Sequence, residues 1–141
     1  MTTPRLKVEF DPLLETGFPT IDAQHRELFD RLDRLLQAGH EGRSAAEIGD
    51  MLDFLGHYVV AHFSNEERLM AQTSYPGLDD HRAEHQQFIR DYSAMYQQFR
   101  HEGPSLTIVV RVSDRVTAWL REHIYRADRT LARWLKEHGQ V

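Results

Sequence analysis

Residues 55–70 read LGHYVVAHFSNEERLM, and their apolar positions follow a helical period. Val59 and Phe63 are four positions apart, which places both on one face of an α-helix. His62 follows Val59 by three residues and Glu66 follows His62 by four, so the polar pair lies on or beside that face, one turn apart. The stretch therefore predicts a helix that carries an imidazole and a carboxylate toward the protein interior.

Turn-forming residues divide the chain into an N-terminal arm, residues 1–19, and a helical region, residues 20–138. The arm contains several prolines and is predicted to be extended or irregular. The first helix is expected to begin at a cap formed by Thr20 or Asp22 and to end near Ala38.

The second and third helices have clear start and stop signals. Ser44 and Glu47 form a capping box that opens the second helix, and Pro76-Gly77 ends it. The third helix is predicted from about residue 78 to residue 100. Its predicted inward-facing residues are Phe88, Ile89, Tyr92, Met95, Tyr96 and Phe99.

The fourth segment begins near Ser105 and is longer than the others, so we expect a kink or break after about Asp128. Residues 106–110 (LTIVV) have the composition of a strand, but the helical pattern around them favours an all-α chain. Four amphipathic helices joined by short turns can bury their apolar faces in an antiparallel up-down-up-down four-helix bundle. We predict such a bundle, with its extended arm, as a single domain over residues 1–141.

The composition excludes several classes of protein. The chain has 141 residues, no cysteine and a formal net charge of −5. Without cysteine it has no disulfide framework, thiolate metal site or iron–sulfur cluster. The negative charge disfavours nucleic acids and anionic membranes as partners. No apolar run approaches the ~20 residues of a membrane span, and the N-terminal segment has no signal-like apolar core, so we expect a cytoplasmic protein.

Histidine stands out, with nine copies in the chain. Five histidines lie on or beside the predicted apolar faces, and every helix contributes at least one of them. Two carboxylates follow at spacings of four or five residues. This polar set consists of His25, His62, Glu66, His81, His85, His123 and Asp128. The histidines at helix ends, in the tail or off the inward faces are assigned no metal role: His40, His57, His101 and His138.

Each member of the set has an ordinary alternative explanation. A single buried histidine is more often hydrogen-bonded than metal-bound, Glu66 could belong to a solvated run, and Asp128 could pair with Arg126 or Arg129. Together, however, buried unpaired polar groups cost about 1–3 kcal/mol each, against the ~5–15 kcal/mol that stabilises a whole domain. Metal coordination removes that cost because every lone pair gains a cationic partner. We therefore predict a metal site.

The donor set indicates which kind of site. Imidazole and carboxylate without sulfur suit first-row ions such as iron, manganese, copper or zinc. The set exceeds the four ligands of a tetrahedral zinc but suits two octahedral ions that share bridges. Two bridging carboxylates supply four donor atoms, five histidines bring the total to nine, and a shared oxide or hydroxide counted twice gives eleven of twelve positions. One position remains for a small molecule, and the low carboxylate content favours a carrier or sensor over an oxidase.

The spacing of the last pair is unusual. On an ideal helix Asp128 is rotated by about 140° from His123. A bridging role for Asp128 therefore requires either a long side-chain reach or a local distortion of the helix, and the sequence leaves both explanations open.

In this order, the motifs resemble those of the hemerythrin family, and most closely its single-domain bacterial members, the bacteriohemerythrins. The resemblance extends from about Phe10 to Asp128. Its parts are Thr16-Gly17, Ile21-Asp22-Ala23-Gln24-His25, His62-Phe63-Ser64-Asn65-Glu66-Glu67 with Met70, His81 and His85, and Trp119-Leu120 with His123-Ile124 and Asp128. A single HxxxE or HxxxH motif is a weak signal, but one motif on each helix is highly specific. Two positions depart from the family pattern: Phe10, where tryptophan is frequent, and Leu131, where an aromatic residue is common.

The resemblance implies a centre of two non-haem iron ions bridged by oxide or hydroxide and by the carboxylates of Glu66 and Asp128. One iron would be bound by three histidines and the other by two, namely His81, His85 and His123 for the first and His25 and His62 for the second. Dioxygen would bind at the two-histidine iron, which has the vacant position. The apolar wall of this oxygen pocket is predicted to comprise Leu28, Phe63, Trp119 and Leu120, for which ordinary core packing is the alternative role.

Reversible binding of dioxygen, for storage, transport or sensing, is the expected function, and we do not expect an enzyme. The alternatives are a di-iron enzyme that acts on nitric oxide or peroxide or repairs iron–sulfur centres, and a structural zinc bundle without reactivity. The absence of cysteine weakens repair chemistry, and a zinc bundle leaves the open position unexplained. Dioxygen is the expected partner and a monomer the expected state. Because we expect no appended signalling domain, sensing would require a separate signalling protein.

Overall fold

The computed structural model describes residues 7–139. Within this range the chain forms five α-helices and no β-strand. The α-helices are α1 (Pro19–His40), α2 (Ala45–Gln72), α3 (Leu78–Glu102), α4 (Leu106–His123) and α5 (Arg129–Glu137). A 3₁₀ turn (Pro12–Leu14) precedes α1, and a π-helical turn (Ile124–Asp128) joins α4 to α5. Residues 1–6 of the predicted arm and residues 140–141 lie outside the described range.

Helices α1 to α4 form the predicted antiparallel four-helix bundle. α1 packs against α2 and α4, and α3 packs against the same two helices, so neighbours in the chain are neighbours in space. The links between them, residues 41–44, 73–77 and 103–105, are short and force successive helices to run in opposite directions. Among the described residues, no helix is apolar over a length that would cross a membrane. The interior is filled by large side chains, including Leu28, Phe29, Leu32, Leu55, Phe63, Val116 and Leu120.

Serine caps open two of the helices, and the cap at Ser44 was predicted from the sequence. The Ser44 hydroxyl accepts a hydrogen bond from the Glu47 amide at 3.2 Å, at the start of α2. The Ser105 hydroxyl accepts one from the Ile108 amide at 3.2 Å, at the start of α4. Because this cap satisfies an amide that the first helical turn leaves unpaired, residues 106–110 form a helix despite their strand-like composition.

The inward face of α3 is narrower than the sequence pattern predicts. Phe88, Met95 and Phe99 are buried, as expected. The prediction for Ile89 was wrong, because this side chain is 37% exposed. Adjacent helical residues differ by about 100° in direction, so the inward position of Phe88 turns Ile89 toward solvent.

The first helix begins earlier than predicted. α1 starts at Pro19, and its N-cap residue Phe18 makes no side-chain capping bond. Proline suits the first helical position because it has no amide hydrogen to satisfy and its φ angle is already near the helical value. The predicted cap at Thr20 or Asp22 was therefore wrong, since both residues lie within the first turn of the helix.

Asp22 instead ties the N-terminal arm to the bundle. Its buried carboxylate accepts hydrogen bonds from the amide and hydroxyl of Thr16, at 2.8 and 2.7 Å, and from the amide of Gly17 at 3.1 Å. Gly17 has a φ of 81°, a left-handed conformation that glycine adopts readily, and it turns the chain into α1. The Lys136 amino group donates to the Thr16 carbonyl at 3.2 Å, which links the arm to α5 as well.

Replacing Asp22 with alanine should lower the free energy of unfolding by about 1–3 kcal/mol, because buried donors of the arm lose their acceptor. Urea denaturation followed by circular dichroism measures this loss. Asp30→Ala is the control on the same helix, since Asp30 forms an exposed pair with Arg34 and should contribute little. Equal losses in the two variants would contradict an anchoring role for Asp22.

Candidate metal centre

The seven predicted side chains meet inside the bundle. Each is at most 3% exposed. Because residues four apart share one helix face, the pairs on α2 and on α3 both point into the same space. α1 contributes His25, α2 contributes His62 and Glu66, α3 contributes His81 and His85, α4 contributes His123, and the π-helical turn contributes Asp128.

Glu66 lies between two groups of imidazoles. One carboxylate oxygen, Oε1, is 3.4 Å from Nε2 of His81 and 3.2 Å from Nε2 of His85. The other oxygen, Oε2, is 3.1 Å from Nε2 of His62 and 3.7 Å from Nε2 of His25. The two oxygens of one carboxylate therefore face different sets of nitrogen atoms.

Asp128 divides its oxygens between the same two groups. Oδ1 is 3.0 Å from Nε2 of His81 and 3.2 Å from Nε2 of His123, whereas Oδ2 is 3.0 Å from Nε2 of His25. The cluster thus consists of two halves that share both carboxylates. We name them by their imidazoles: the three-histidine half (His81, His85 and His123) and the two-histidine half (His25 and His62).

The π-helical turn Ile124–Asp128 explains how Asp128 reaches this position. An α-helix would direct Asp128 about 140° away from His123. A π-helix has a wider turn with i→i+5 hydrogen bonds, so residues five apart come onto one face. A local distortion of the helix therefore accounts for the geometry. The kink or break predicted after about Asp128 corresponds to this turn, which ends at Asp128 and is followed directly by α5 from Arg129.

Charged hydrogen bonds orient two imidazoles of the three-histidine half. His85 Nδ1 lies 2.9 Å from Oε2 of Glu67, and His123 Nδ1 lies 3.0 Å from Oε1 of Glu84. A carboxylate can only accept, so Nδ1 carries the proton and donates it. The Nε2 lone pair is then free to point into the cluster, as metal coordination requires.

An arginine holds each of these outer carboxylates in place. Arg82 donates from Nε to Oε1 of Glu67 at 3.2 Å. Arg126 donates to Oε1 of Glu84 at 2.6 Å. Burial raises the pKa of Glu84, but the contacts with Arg126 and His123 outweigh it, and the pKa stays below its ordinary value. The outer carboxylate beside His123 is therefore ionised at neutral pH.

The two-histidine half has different outer contacts. His62 Nδ1 donates a hydrogen bond to the side-chain carbonyl oxygen of Gln24, which carries no net charge. His25 Nδ1 is buried and has no hydrogen-bond partner among residues 7–139. The sequence pattern gave no role to Gln24, Glu67 or Glu84, although Gln24 and Glu67 lie within the motifs quoted above. Each is adjacent in sequence to a member of the cluster, but adjacency does not reveal which imidazole it faces across the helix interface.

The inward-facing atoms of the cluster test whether metal ions fit. Eight of these atoms are buried and have no hydrogen-bond partner among the described residues. They are the Nε2 atoms of His25, His81, His85 and His123 and both carboxylate oxygens of Glu66 and of Asp128. Lone pairs that converge without donors are costly unless a cation lies between them. Nitrogen and oxygen donors without sulfur fit first-row ions, and the shared carboxylates fit a pair of them.

Without metal, His25 and His81 retain protons at neutral pH. Burial lowers the pKa of His25, but the attraction of Asp128 and Glu66 outweighs it and raises that pKa to about 9. The same balance raises the pKa of His81 to about 10. Burial raises the pKa of each central carboxylate, yet the surrounding imidazoles outweigh it and keep both pKa values well below their ordinary range.

Two of the four predicted oxygen-pocket residues, Phe63 and Trp119, stack on histidines of the metal-binding cluster. Phe63 stacks on His85 with 3.8 Å between ring centroids, and its ring is 6.0 Å from that of His62. Trp119 stacks on His123 at 4.4 Å. Phe63 therefore touches both halves, whereas the histidine that Trp119 contacts belongs to the three-histidine half. The remaining predicted wall residues are buried in the hydrophobic core of the bundle, which also contains Phe63: Leu28 and Leu120.

Residues 16–135 match the sequence model of the hemerythrin HHE cation binding domain. The chain belongs to the hemerythrin family. This assignment confirms the resemblance found in the sequence, and the matched range contains every side chain of the cluster. The four histidines that were given no metal role are all exposed: His40, His57, His101 and His138.

Individual hemerythrins resemble this chain over most of its length. Bacteriohemerythrin of Stenotrophomonas maltophilia (strain R551-3) is 30% identical over 125 residues, which cover 89% of this chain and 79% of that protein. Bacteriohemerythrin of Methylococcus capsulatus is 32% identical over 108 residues, which cover 77% of this chain and 80% of that protein. A crystal structure of wild-type hemerythrin has a TM-score of 0.74 at 28% identity and covers 83% of this chain and 88% of its own.

The two departures from the hemerythrin pattern are accommodated by packing. Phe10 contacts Phe29 edge-on, with 5.8 Å between ring centroids. Leu131 is fully buried in a small apolar group with Met70 and Leu135. Neither position contributes a polar atom to the cluster, so both substitutions change packing around it.

Metal binding should release protons. A raised histidine pKa means that the protonated form is favoured at pH 7 in the metal-free protein and is lost as pH rises through about 9 for His25 and about 10 for His81. Only neutral imidazole binds a metal. Displacing at least these two protons should make the overall constant for binding two Co²⁺ ions rise by about 100-fold or more per pH unit between pH 7 and 8. Titration in a weakly buffered indicator solution measures the release. A binding constant independent of pH in this range would contradict it.

Proposed function

We propose that this chain binds dioxygen reversibly at a non-haem di-iron centre, for oxygen storage, transport or sensing. The observation that carries this proposal is the division of both shared carboxylates between two unequal halves. The three-histidine half offers five donor residues and the two-histidine half offers four, with ligand atoms within 4.8 Å of one another in each group. If both ions are octahedral and share one oxide or hydroxide, the first half is complete and the second has one position left for a small molecule.

The residues of the cluster would share the work of holding the two ions. Glu66 and Asp128 would bridge both ions, and the histidines would bind them separately: His81, His85 and His123 in one half, and His25 and His62 in the other. When bound, the iron pair supplies two electrons that dioxygen accepts on binding and returns on release. This oxidation and reduction requires that the metal-binding side chains keep their positions. The π-helical turn and the outer hydrogen bonds hold these side chains in place.

Side chains around the cluster favour release of dioxygen over its reduction to hydrogen peroxide. Formation of peroxide as a free product requires protons. In the predicted wall only Trp119 carries a polar hydrogen, an indole N–H that is too weakly acidic to supply a proton, whereas Leu28, Phe63 and Leu120 carry none. Their burial excludes bulk water. The low pKa of Glu66 keeps this carboxylate deprotonated, so it does not serve as a proton donor at neutral pH. These features support a carrier.

The charge of the donor set favours the same function. Among residues 7–139 two carboxylates take part, whereas ferritin-like di-iron bundles use four carboxylates and two histidines. Fewer anionic donors disfavour the higher oxidation states of iron that cleavage of the oxygen–oxygen bond requires. Reversible binding without turnover is therefore the activity that we propose.

The reduced, iron-loaded protein should turn violet-pink in air and bleach when oxygen is removed. This expectation follows from reversible uptake in an enclosed apolar site. Visible spectroscopy during repeated cycles of oxygenation and argon flushing measures it. Immediate and irreversible conversion to a yellow oxidised form would contradict a carrier and favour the di-iron enzyme alternative. A protein that binds zinc and no iron would indicate a structural bundle.

His62→Ala should lower the iron content well below two per chain, because it removes a donor from the half that already has fewer. His85→Ala should have a similar effect on the three-histidine half. Elemental analysis of protein purified after iron-replete expression measures the ratio. His57→Ala is the matched control, since His57 is exposed on the same helix as His62 and should leave iron content unchanged. An iron content of two per chain in both His62→Ala and His85→Ala would refute the assignment of these histidines as metal ligands.

A further inference from the structure

We infer that the two halves of the cluster are unequal in affinity, and that Glu67 and Glu84 make the three-histidine half bind a divalent metal ion first and more tightly. Gln24 is the corresponding residue of the two-histidine half and gives it a weaker outer contact. The inference rests on the proposed function only in that the cluster must hold two ions. It concerns residues that contact the imidazoles from outside and would not touch the metals.

Charged outer contacts strengthen the imidazoles of the three-histidine half as ligands. The Nδ1 atoms of His85 and His123 donate to carboxylates at 2.9 and 3.0 Å. A negative acceptor at Nδ1 increases electron density across the ring, so Nε2 becomes a better donor to a cation. Hydrogen bonds to ionised groups are also roughly twice as strong as neutral ones, which holds each ring in its orientation.

The arginines bound to these carboxylates weaken this effect without cancelling it, most directly at Glu84, where Arg126 contacts the same Oε1 as His123. The side chains of Arg82 and Arg126 are 42% and 55% exposed, and water screens their charge. The rings of His85 and His123 are at most 1% exposed, so each feels the facing carboxylate through a poorly screened contact. The arginines therefore act mainly to hold the carboxylates in place.

The two-histidine half has no comparable charge behind its rings. The Gln24 amide that accepts from His62 Nδ1 is neutral. His25 Nδ1 is buried without a hydrogen-bond partner in the described part of the chain. This half also has one donor residue fewer. Both the number of donors and their strength therefore predict that it fills second.

The asymmetry has a consequence for the proposed oxygen site. The half that we expect to hold its metal less tightly is also the half with the open position. Gln24 orients His62 without adding negative charge. A glutamate at this position would offset part of the positive charge of the metal ion to which an incoming ligand must bind. Gln24, Glu67 and Glu84 are thus positioning residues that distinguish the two metals from each other.

Stepwise titration of the metal-free full chain with Co²⁺ under argon, in competition with a chelator, tests the inference. Wild-type protein should show a tighter and a weaker step. Glu84→Gln should weaken the tighter step by roughly 10–100-fold and leave the weaker step unchanged. Gln24→Glu should strengthen the weaker step alone. To identify the halves, His85→Ala should impair the tighter step and His62→Ala the weaker one.

Glu122→Gln provides the matched control. Glu122 accepts from Arg126 at 2.8 Å but is exposed and contacts no imidazole of the cluster, so its loss should change neither step. Circular dichroism and thermal unfolding verify that each variant is folded, and Gln24→Glu tests the inference even if Glu84→Gln is unstable. Equal changes in both steps, or a single step for two ions, would overturn the inference while leaving the proposed function intact. Failure of wild-type protein to bind two ions would overturn both.

Discussion

Imidazole nitrogens and carboxylate oxygens lie close together at the centre of this bundle, and their lone pairs repel one another. The helices, the π-helical turn and the outer hydrogen bonds hold these atoms in place despite that repulsion. Glu66 and Asp128 are each surrounded by histidines from different helices. Such a set is stable only when protons or cations lie between its members. Because the donors come from four separate helices, the cluster also fixes how those helices are aligned along the bundle axis.

The π-helical turn shows how the backbone adapts to this constraint. A regular helix through residues 124–128 would keep its i→i+4 hydrogen bonds but direct Asp128 away from His123. The wider turn replaces those bonds with i→i+5 bonds and brings the carboxylate to the cluster. The 3₁₀ turn Pro12–Leu14 lies against this segment, so the N-terminal arm supports the irregular part of the bundle.

Around the central donors, a second set of contacts makes the two halves different. Glu67 and Glu84 place negative charge behind rings of the three-histidine half, and Gln24 places a neutral amide behind a ring of the other. A pair of chemically similar metal sites can in this way acquire different affinities without any change in their ligands. Phe63, stacked on His85 and close to His62, adds an apolar surface common to both halves.

Local sequence determined the helices, their approximate limits and the inward direction of the cluster residues, because helical periodicity and capping depend on neighbours within a few positions. The same periodicity could not decide how Asp128 reaches the cluster, since a π-helical turn is rare and departs from the regular helical period on which the prediction relies. It also could not place Glu84 against His123, or assign Asp22 to the arm, because those contacts join separate elements. Tertiary structure alone decides them: the partner of a buried polar group is whichever atom the packed helices bring within hydrogen-bond distance.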